Sequence, residues 1–220
     1  MRPLSEPRTR RGALTPAGLA AVAALAVCVV LAACDEGGGT LGIGTNPSDT
    51  VTTREEPLLT FLVPDAEAPT IANPVVEFYA VRGRATEAVM YYSPRPGRAD
   101  STAFVRLHLG AQSLDRLPDS TVVADGDSAQ LTITLADPRR LIVRLGPSDL
   151  TFAAGQPGEL RITYLEGDDT LDDATRQALA VWRQQPPPSS LWDRLTSTVS
   201  LEASEVVAPV TGTGSYGVAY

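Results

Sequence analysis

Residues 57–220 are predicted to form an all-β domain, an antiparallel β-sandwich. Short apolar or alternating segments recur along this region, and turn-forming residues separate them. The 220-residue chain holds 18 glycines and 18 prolines, and no segment keeps a helical periodicity over ten residues. Many short strands with regular turns favour a sandwich over an α/β fold. One sandwich, or two subdomains split near residues 120–140, are both open alternatives.

The first predicted strands are apolar segments that end at turn residues, at 58–63, 75–81 and 88–92. Residues 103–109 then alternate. A period of two is expected to place the aliphatic side chains from Ala103 to Leu109 on one face, with Phe104, Arg106 and His108 on the other.

The clearest predicted hairpin joins residues 131–135 to residues 141–145 through a turn at Asp137-Pro138. Residues 160–164 alternate in the same way. A helical turn is expected at 172–178, capped by Asp172 or Asp173. The remaining predicted strands are 179–182, 192–195, 205–210 and 216–220. The last of these is expected to be held inside a sheet.

The order of features from residue 141 to residue 220 resembles bacterial envelope modules of the immunoglobulin-like sandwich type. Among these are modules related to the domain shared by zona-occludens and netrin-receptor proteins. The segments that carry the resemblance are 147–152, 157–164, 179–183 with Trp182, 192–199 with Trp192, 206–210 and 215–219. The resemblance implies a scaffold or an adhesive spacer with no shared active site.

Residues 1–33 have the layout of a secretory signal. Four arginines and one glutamate occupy the first 11 residues, and residues 17–33 carry no charge. The four residues Leu31-Ala32-Ala33-Cys34 then resemble the lipobox of bacterial lipoproteins. The resemblance implies cleavage between Ala33 and Cys34, a diacylglycerol thioether on Cys34 and a fatty acyl group such as palmitate on the new amine.

Such an anchor would make the lipid bilayer the partner of Cys34, because two or three acyl chains bind a membrane stably. An uncleaved transmembrane helix is the alternative, since the apolar run approaches the ~20 residues that span a bilayer. Arg10-Arg11 also resembles a twin-arginine export signal, although the general secretory route is preferred. Residues 34–56 are glycine-rich and are predicted to be a flexible tether. The choice between inner and outer membrane stays open.

Charge and cysteine content exclude several function classes. The formal net charge is −8, and removal of residues 1–33 would make the chain more acidic, so nucleic-acid binding is not expected. The two cysteines are Cys28 and Cys34, which leaves no thiol for a disulfide in the domain. His108 is the single histidine, is expected at the surface, and accompanies no nucleophile motif. The sequence therefore predicts no enzyme and no cofactor.

The acidic loop offers the strongest candidate for a ligand site. Its carboxylates could supply oxygens to calcium, although their spacing differs from an EF-hand and solvated loop acids with a helix cap are the simpler interpretation. The candidate ligands are Glu166, Asp168, Asp169, Asp172 and Asp173. A sugar-stacking platform is a further alternative, although core positions are favoured for these aromatic residues. They are Tyr91, Tyr92, Trp182, Trp192, Tyr216 and Tyr220.

The predicted function is that of a membrane-anchored extracytoplasmic lipoprotein of the bacterial cell envelope. Its β-sandwich is expected to be a non-catalytic structural or adhesion module, and its partner an envelope protein or glycan. A carbohydrate- or calcium-binding module is the alternative.

Overall fold

Two antiparallel β-sheets pack against each other in the computed structural model, which describes residues 59–96, 102–167, 170–187 and 189–220. All of these residues belong to one compact unit. The strands are β1 (Val75–Val81), β2 (Thr86–Tyr91), β3 (Ala103–Leu109), β4 (Leu114–Arg116), β5 (Ser128–Asp137), β6 (Ile142–Gly146), β7 (Thr151–Phe152), β8 (Gly158–Thr163), β9 (Ala180–Gln184), β10 (Trp192–Arg194), β11 (Thr198–Ser200), β12 (Glu205–Val210) and β13 (Gly214–Ala219). The helix α1 (Asp173–Ala178) lies between β8 and β9.

Within the described ranges, the larger sheet has the strand order β1-β5-β6-β13-β9-β10. The second sheet has the order β11-β12-β8-β3-β2, and β4 pairs with β7 in a small separate ladder. The strand β13 lies between β6 and β9, which confirms that the C-terminal strand is held inside a sheet. The predicted all-β sandwich is therefore correct.

Local sequence patterns located most elements well. The segment predicted at 75–81 coincides with β1. The predicted hairpin forms between β5 and β6, where Ile133 pairs with Leu145 and a register shift near Asp137 leads into the turn. The helix α1 begins after Asp172, whose carboxylate accepts a hydrogen bond from the Thr175 amide at 2.7 Å. These elements form because their alternation or capping signals agree with the tertiary pairing.

The segment predicted at 58–63 forms a shorter pairing than expected. Phe61 makes an isolated bridge to Ala219. Three backbone hydrogen bonds flank the bridge, from Thr60 N to Tyr220 O at 3.2 Å, from Leu62 N to Val218 O at 2.9 Å and from Tyr220 N to Thr60 O at 3.1 Å. A second isolated bridge joins Pro64 to Gly167, which follows β8 of the other sheet.

The core lies between the two sheets. The aliphatic side chains of β3 all face it, as the alternation predicts, and Leu107 is fully buried. Phe104 was expected on the same face as Arg106 and His108. Unlike those two residues, it is fully buried. A register shift between Met90 and Tyr91 precedes Tyr92, whose ring packs on Phe104 with centroids 5.3 Å apart.

Candidate functional site

A polar cavity lies at one end of the five-stranded sheet. Because β3 runs antiparallel to both β2 and β8, the end of β2, the start of β3 and the end of β8 meet there. Residues 64–71 cross this end, where the Asp65 amide donates to the Glu166 carbonyl at 2.9 Å and the Ser93 amide donates to the Thr70 carbonyl at 2.7 Å. Four segments of the chain thus build the cavity.

Tyr92 forms the buried base of this cavity. Its side chain is 1% exposed, and its hydroxyl has no hydrogen-bond partner within the described part of the chain. Burial, and secondly the nearby Glu166 carboxylate, raise the pKa of Tyr92 well above its usual value. The hydroxyl is therefore protonated at neutral pH and keeps a donor proton that nothing in the described structure accepts.

Glu166 and Arg95 form an ion pair on the wall of the cavity. Glu166 is 8% exposed as a residue, whereas the Arg95 side chain is 49% exposed. A carboxylate buried to this extent is tolerated only when it is paired. The guanidinium of Arg95 neutralises the Glu166 charge and reaches from the solvent side into the cavity.

The cavity has a volume of about 300 Å³, and its other lining residues are Pro69, Ser93, Thr102 and Leu165. An adjoining cleft of about 520 Å³ shares Pro69, Ser93 and Arg95 with it. The lining thus combines a hydrogen-bond acceptor at Glu166, a donor at Arg95 and three hydroxyl groups that can act as either. Such a surface can bind a small polar molecule.

The structure gives separate roles to the candidate calcium ligands that it describes. Glu166 pairs with Arg95, Asp172 caps α1, and Asp173 lies 3.7 Å from the Arg176 guanidinium. Asp168 and Asp169 lie outside the described residues. No group of three potential metal ligands occurs among the residues that the structure does describe.

A second cleft, of about 430 Å³, lies at the end of the larger sheet where β6 and β9 end and β13 begins. Arg183 lines it and donates to the Thr213 carbonyl at 3.0 Å. The Arg183 guanidinium lies 5.9 Å from the centre of the Tyr216 ring, and the Tyr216 hydroxyl donates to the Gly212 carbonyl at 2.6 Å. Arg183 and Tyr216 therefore fix the loop before β13.

The predicted aromatic candidates fall into three groups. Tyr92 and Tyr216 are core residues, and Tyr91 and Tyr220 are each 41% exposed. Trp182 and Trp192 are half-buried. The Trp192 ring meets Phe61 edge to face, with centroids 4.8 Å apart and an interplanar angle of 69°. This pair is not the coplanar platform on which a sugar ring would stack.

The remaining predicted residues have simple placements. His108 is exposed on β3, as predicted for a surface residue. Ala33 and Cys34, with the predicted signal, lipidation site and tether, lie outside the described residues. In the described ranges, no helix has the length and apolar character needed to cross a membrane.

Sequence reasoning included Tyr92 and Glu166 among its candidates but did not place them together, and it missed Arg95. Arg95 and Glu166 are 71 positions apart, and only the pairing of β2, β3 and β8 joins them. No local signal marks such a grouping. Comparisons with protein-family models, curated proteins and solved structures find no match to this chain.

Proposed function

We propose that this protein is a membrane-anchored extracytoplasmic lipoprotein of the bacterial cell envelope, held by acyl chains on Cys34. Its β-sandwich, of the immunoglobulin-like type, acts as a non-catalytic structural or adhesion module for an envelope protein or glycan. The observation that carries this proposal is Leu31-Ala32-Ala33-Cys34 at the end of an uncharged run that follows an arginine cluster.

The composition bears on how such a domain is stabilised and positioned. Cys28 and Cys34 are the two cysteines of the chain, so the domain has no thiol for a disulfide and depends on its hydrophobic core. The glycine-rich stretch from Asp35 to residue 56 gives the domain reach from the membrane surface. An acidic body of this kind is repelled by anionic headgroups, and the tether keeps it away from them.

The alternative function, binding of a carbohydrate or of calcium, concerns the same domain. For calcium, the test is calorimetric titration of Ca²⁺ into the protein, and an absence of heat and of any shift in melting temperature would exclude it. For a carbohydrate, the polar cavity around Tyr92 is the favouring observation.

The proposed anchor is tested by expressing the full chain in a bacterial host and analysing the membrane fraction by mass spectrometry. We expect an N-terminal peptide that begins at Cys34 and carries a diacylglycerol thioether and an amide-linked acyl chain. Cys34→Ser should accumulate as the uncleaved precursor without acyl chains. Crosslinking of the parent protein in intact cells should then recover neighbouring envelope components.

Cys28→Ser is the matched control, because Cys28 lies in the same apolar run but is preceded by Val27, whereas the small residue Ala33 precedes Cys34. We expect its processing and acylation to equal those of the parent. A Cys34→Ser protein that is cleaved and stays on the membrane like the parent would refute the proposal.

A further inference from the structure

We propose that the cavity formed by Tyr92, Arg95 and Glu166 binds a neutral saccharide. The inference names a ligand class for the adhesion module and rests on the proposed function for the place where that ligand is met. The inference is based on the residues that line the cavity, and their arrangement does not depend on the anchor.

The first step concerns the Tyr92 hydroxyl. Buried polar groups nearly always have a hydrogen-bond partner, because burial without one costs free energy. Tyr92 is 1% exposed and lines the cavity, and its buried hydroxyl finds no partner within the described ranges. Its hydroxyl is therefore positioned to donate to a molecule in the cavity.

The second step concerns the charge of that molecule. Arg95 and Glu166 neutralise each other in an ion pair. A divalent cation would meet one carboxylate, already paired, and would be repelled by the guanidinium. An anion would be repelled by Glu166, which is buried and cannot turn away into solvent. The electrostatics thus favour a neutral ligand.

The third step concerns hydrogen-bond patterning. The Glu166 carboxylate can only accept, the Arg95 guanidinium can only donate, and the hydroxyls of Tyr92 and Thr102 can do either. Adjacent hydroxyls on a sugar ring also donate and accept, so they can satisfy both members of the ion pair at once. Few other neutral molecules offer donors and acceptors this densely.

The fourth step concerns shape. A cavity of about 300 Å³ holds roughly ten water volumes, comparable with one pyranose ring and its hydroxyls. Pro69 and Leu165 add apolar surface to the lining, and Leu165 is 57% exposed. That surface suits the C–H face of a sugar. The adjoining cleft of about 520 Å³ gives a second sugar unit room to follow.

The test uses the full protein, purified from membranes in a zwitterionic detergent that carries no sugar headgroup. Glucose, galactose, mannose and N-acetylglucosamine are titrated separately and followed by saturation-transfer NMR and calorimetry. Glucuronate and glucosamine serve as anionic and cationic comparators. We expect at least one neutral sugar to bind, and to bind at least about fivefold more tightly than its charged comparators.

Variants then assign the binding to the cavity. Tyr92→Phe and Glu166→Gln should each weaken the sugar about fivefold or more, the size expected for loss of one hydrogen bond. Thr102→Val should also weaken sugar binding. Because Thr102 is exposed at the rim, this variant should leave the packing of the core unchanged. Tyr79→Phe is the matched control, because Tyr79 is 64% exposed on β1, and it should leave binding unchanged.

The inference is overturned if no neutral sugar binds, if glucuronate binds more tightly than every neutral sugar, or if Tyr92→Phe and Thr102→Val both bind like the parent. Each of these results can occur while Cys34 is fully acylated, which would leave the proposed anchor intact. Conversely, an unacylated Cys34 in a protein that binds sugar would refute the anchor and support the cavity.

Discussion

The ring of Phe61 lies where a side chain at position 217 would have to be. A Cβ atom on Gly217 would come within 2.9 Å of Phe61 Cε1 and 3.2 Å of Ile142 Cγ1. Gly217 therefore lets the segment around Phe61 lie directly on β13. The same ring also contacts Trp192. The space left by Gly217 thus allows Phe61 to pack against both β13 and β10.

We expect Gly217→Ala to destabilise the domain by about 1–3 kcal/mol, the usual cost of overpacking. The measurement is the midpoint of urea unfolding at constant slope. In a double-mutant cycle, Phe61→Ala should relieve much of the Gly217→Ala cost, because it removes the ring that the new methyl group meets. Gly155→Ala is the control, since nothing lies within 4 Å of its added Cβ. Strict additivity in the cycle would contradict the contact.

Loss of the hydroxyl should lower the unfolding free energy at Tyr216 but not at Tyr92. Tyr216→Phe leaves the Gly212 carbonyl without the donor that it has at 2.6 Å, and should cost about 1–3 kcal/mol of unfolding free energy. Tyr92→Phe removes a hydroxyl that has no partner in the described structure, and should be neutral or slightly stabilising. Both follow from urea unfolding at neutral pH. Equal losses in the two variants would show that the Tyr92 hydroxyl has a partner.

The domain should lose stability in alkaline solution. Burial raises the pKa of Tyr216 to about 12, and Arg183 partly opposes the shift. The unfolded chain releases this proton near pH 10, so between about pH 10 and 12 the folded state binds more protons and stability falls as pH rises. The contribution of Tyr216 is about 2–3 kcal/mol, fully present below pH 10. Unfolding midpoints across this range should fall less steeply in Tyr216→Phe, and an unchanged slope would contradict the assignment.

The start of α1 should loosen in acid. The hydrogen bond from the Thr175 amide lowers the pKa of Asp172 below its usual value. A lowered pKa in the folded state means that the cap stabilises the helix above the usual aspartate range and is lost as pH falls through the lowered pKa. Exchange of the Thr175 amide, followed by NMR and corrected for intrinsic rates, should accelerate there. Asp172→Asn keeps an acceptor that does not titrate, so its corrected exchange should stay flat with pH.

The sequence predicted those elements whose structure depends only on residues close together in the chain. The bounds of β1 and the hairpin of β5 and β6 follow from alternation and turn chemistry, and Asp172 follows from capping. The burial of Phe104 was missed because the register shift between β2 and β3 falls at Phe104 itself: Val105 pairs with Met90 and Ala103 with Tyr91, so Phe104 is an extra residue in β3. Strict alternation breaks at such an extra residue, and the sequence of β3 alone does not reveal it.

The candidate cavity was beyond local reasoning for a related reason. Glu166 looked like one member of an acidic loop, and its charge suggested calcium. Its partner Arg95 follows the end of β2. The two residues meet because β2 and β8 both pair antiparallel with β3 and therefore end on the same side of the sheet. The chemistry of a site of this kind depends on strand order, which the residues on either side of Glu166 do not encode.

The interior position of β13 determines when the larger sheet can be completed. Without residues 214–219, this sheet consists of two ribbons, β1-β5-β6 and β9-β10, with nothing between them. Because a chain is synthesised N-terminus first, the six-stranded sheet cannot be completed until these residues have left the ribosome. Completion of the larger sheet therefore depends on pairing between segments that are far apart in the chain, which is a slow kind of contact to form.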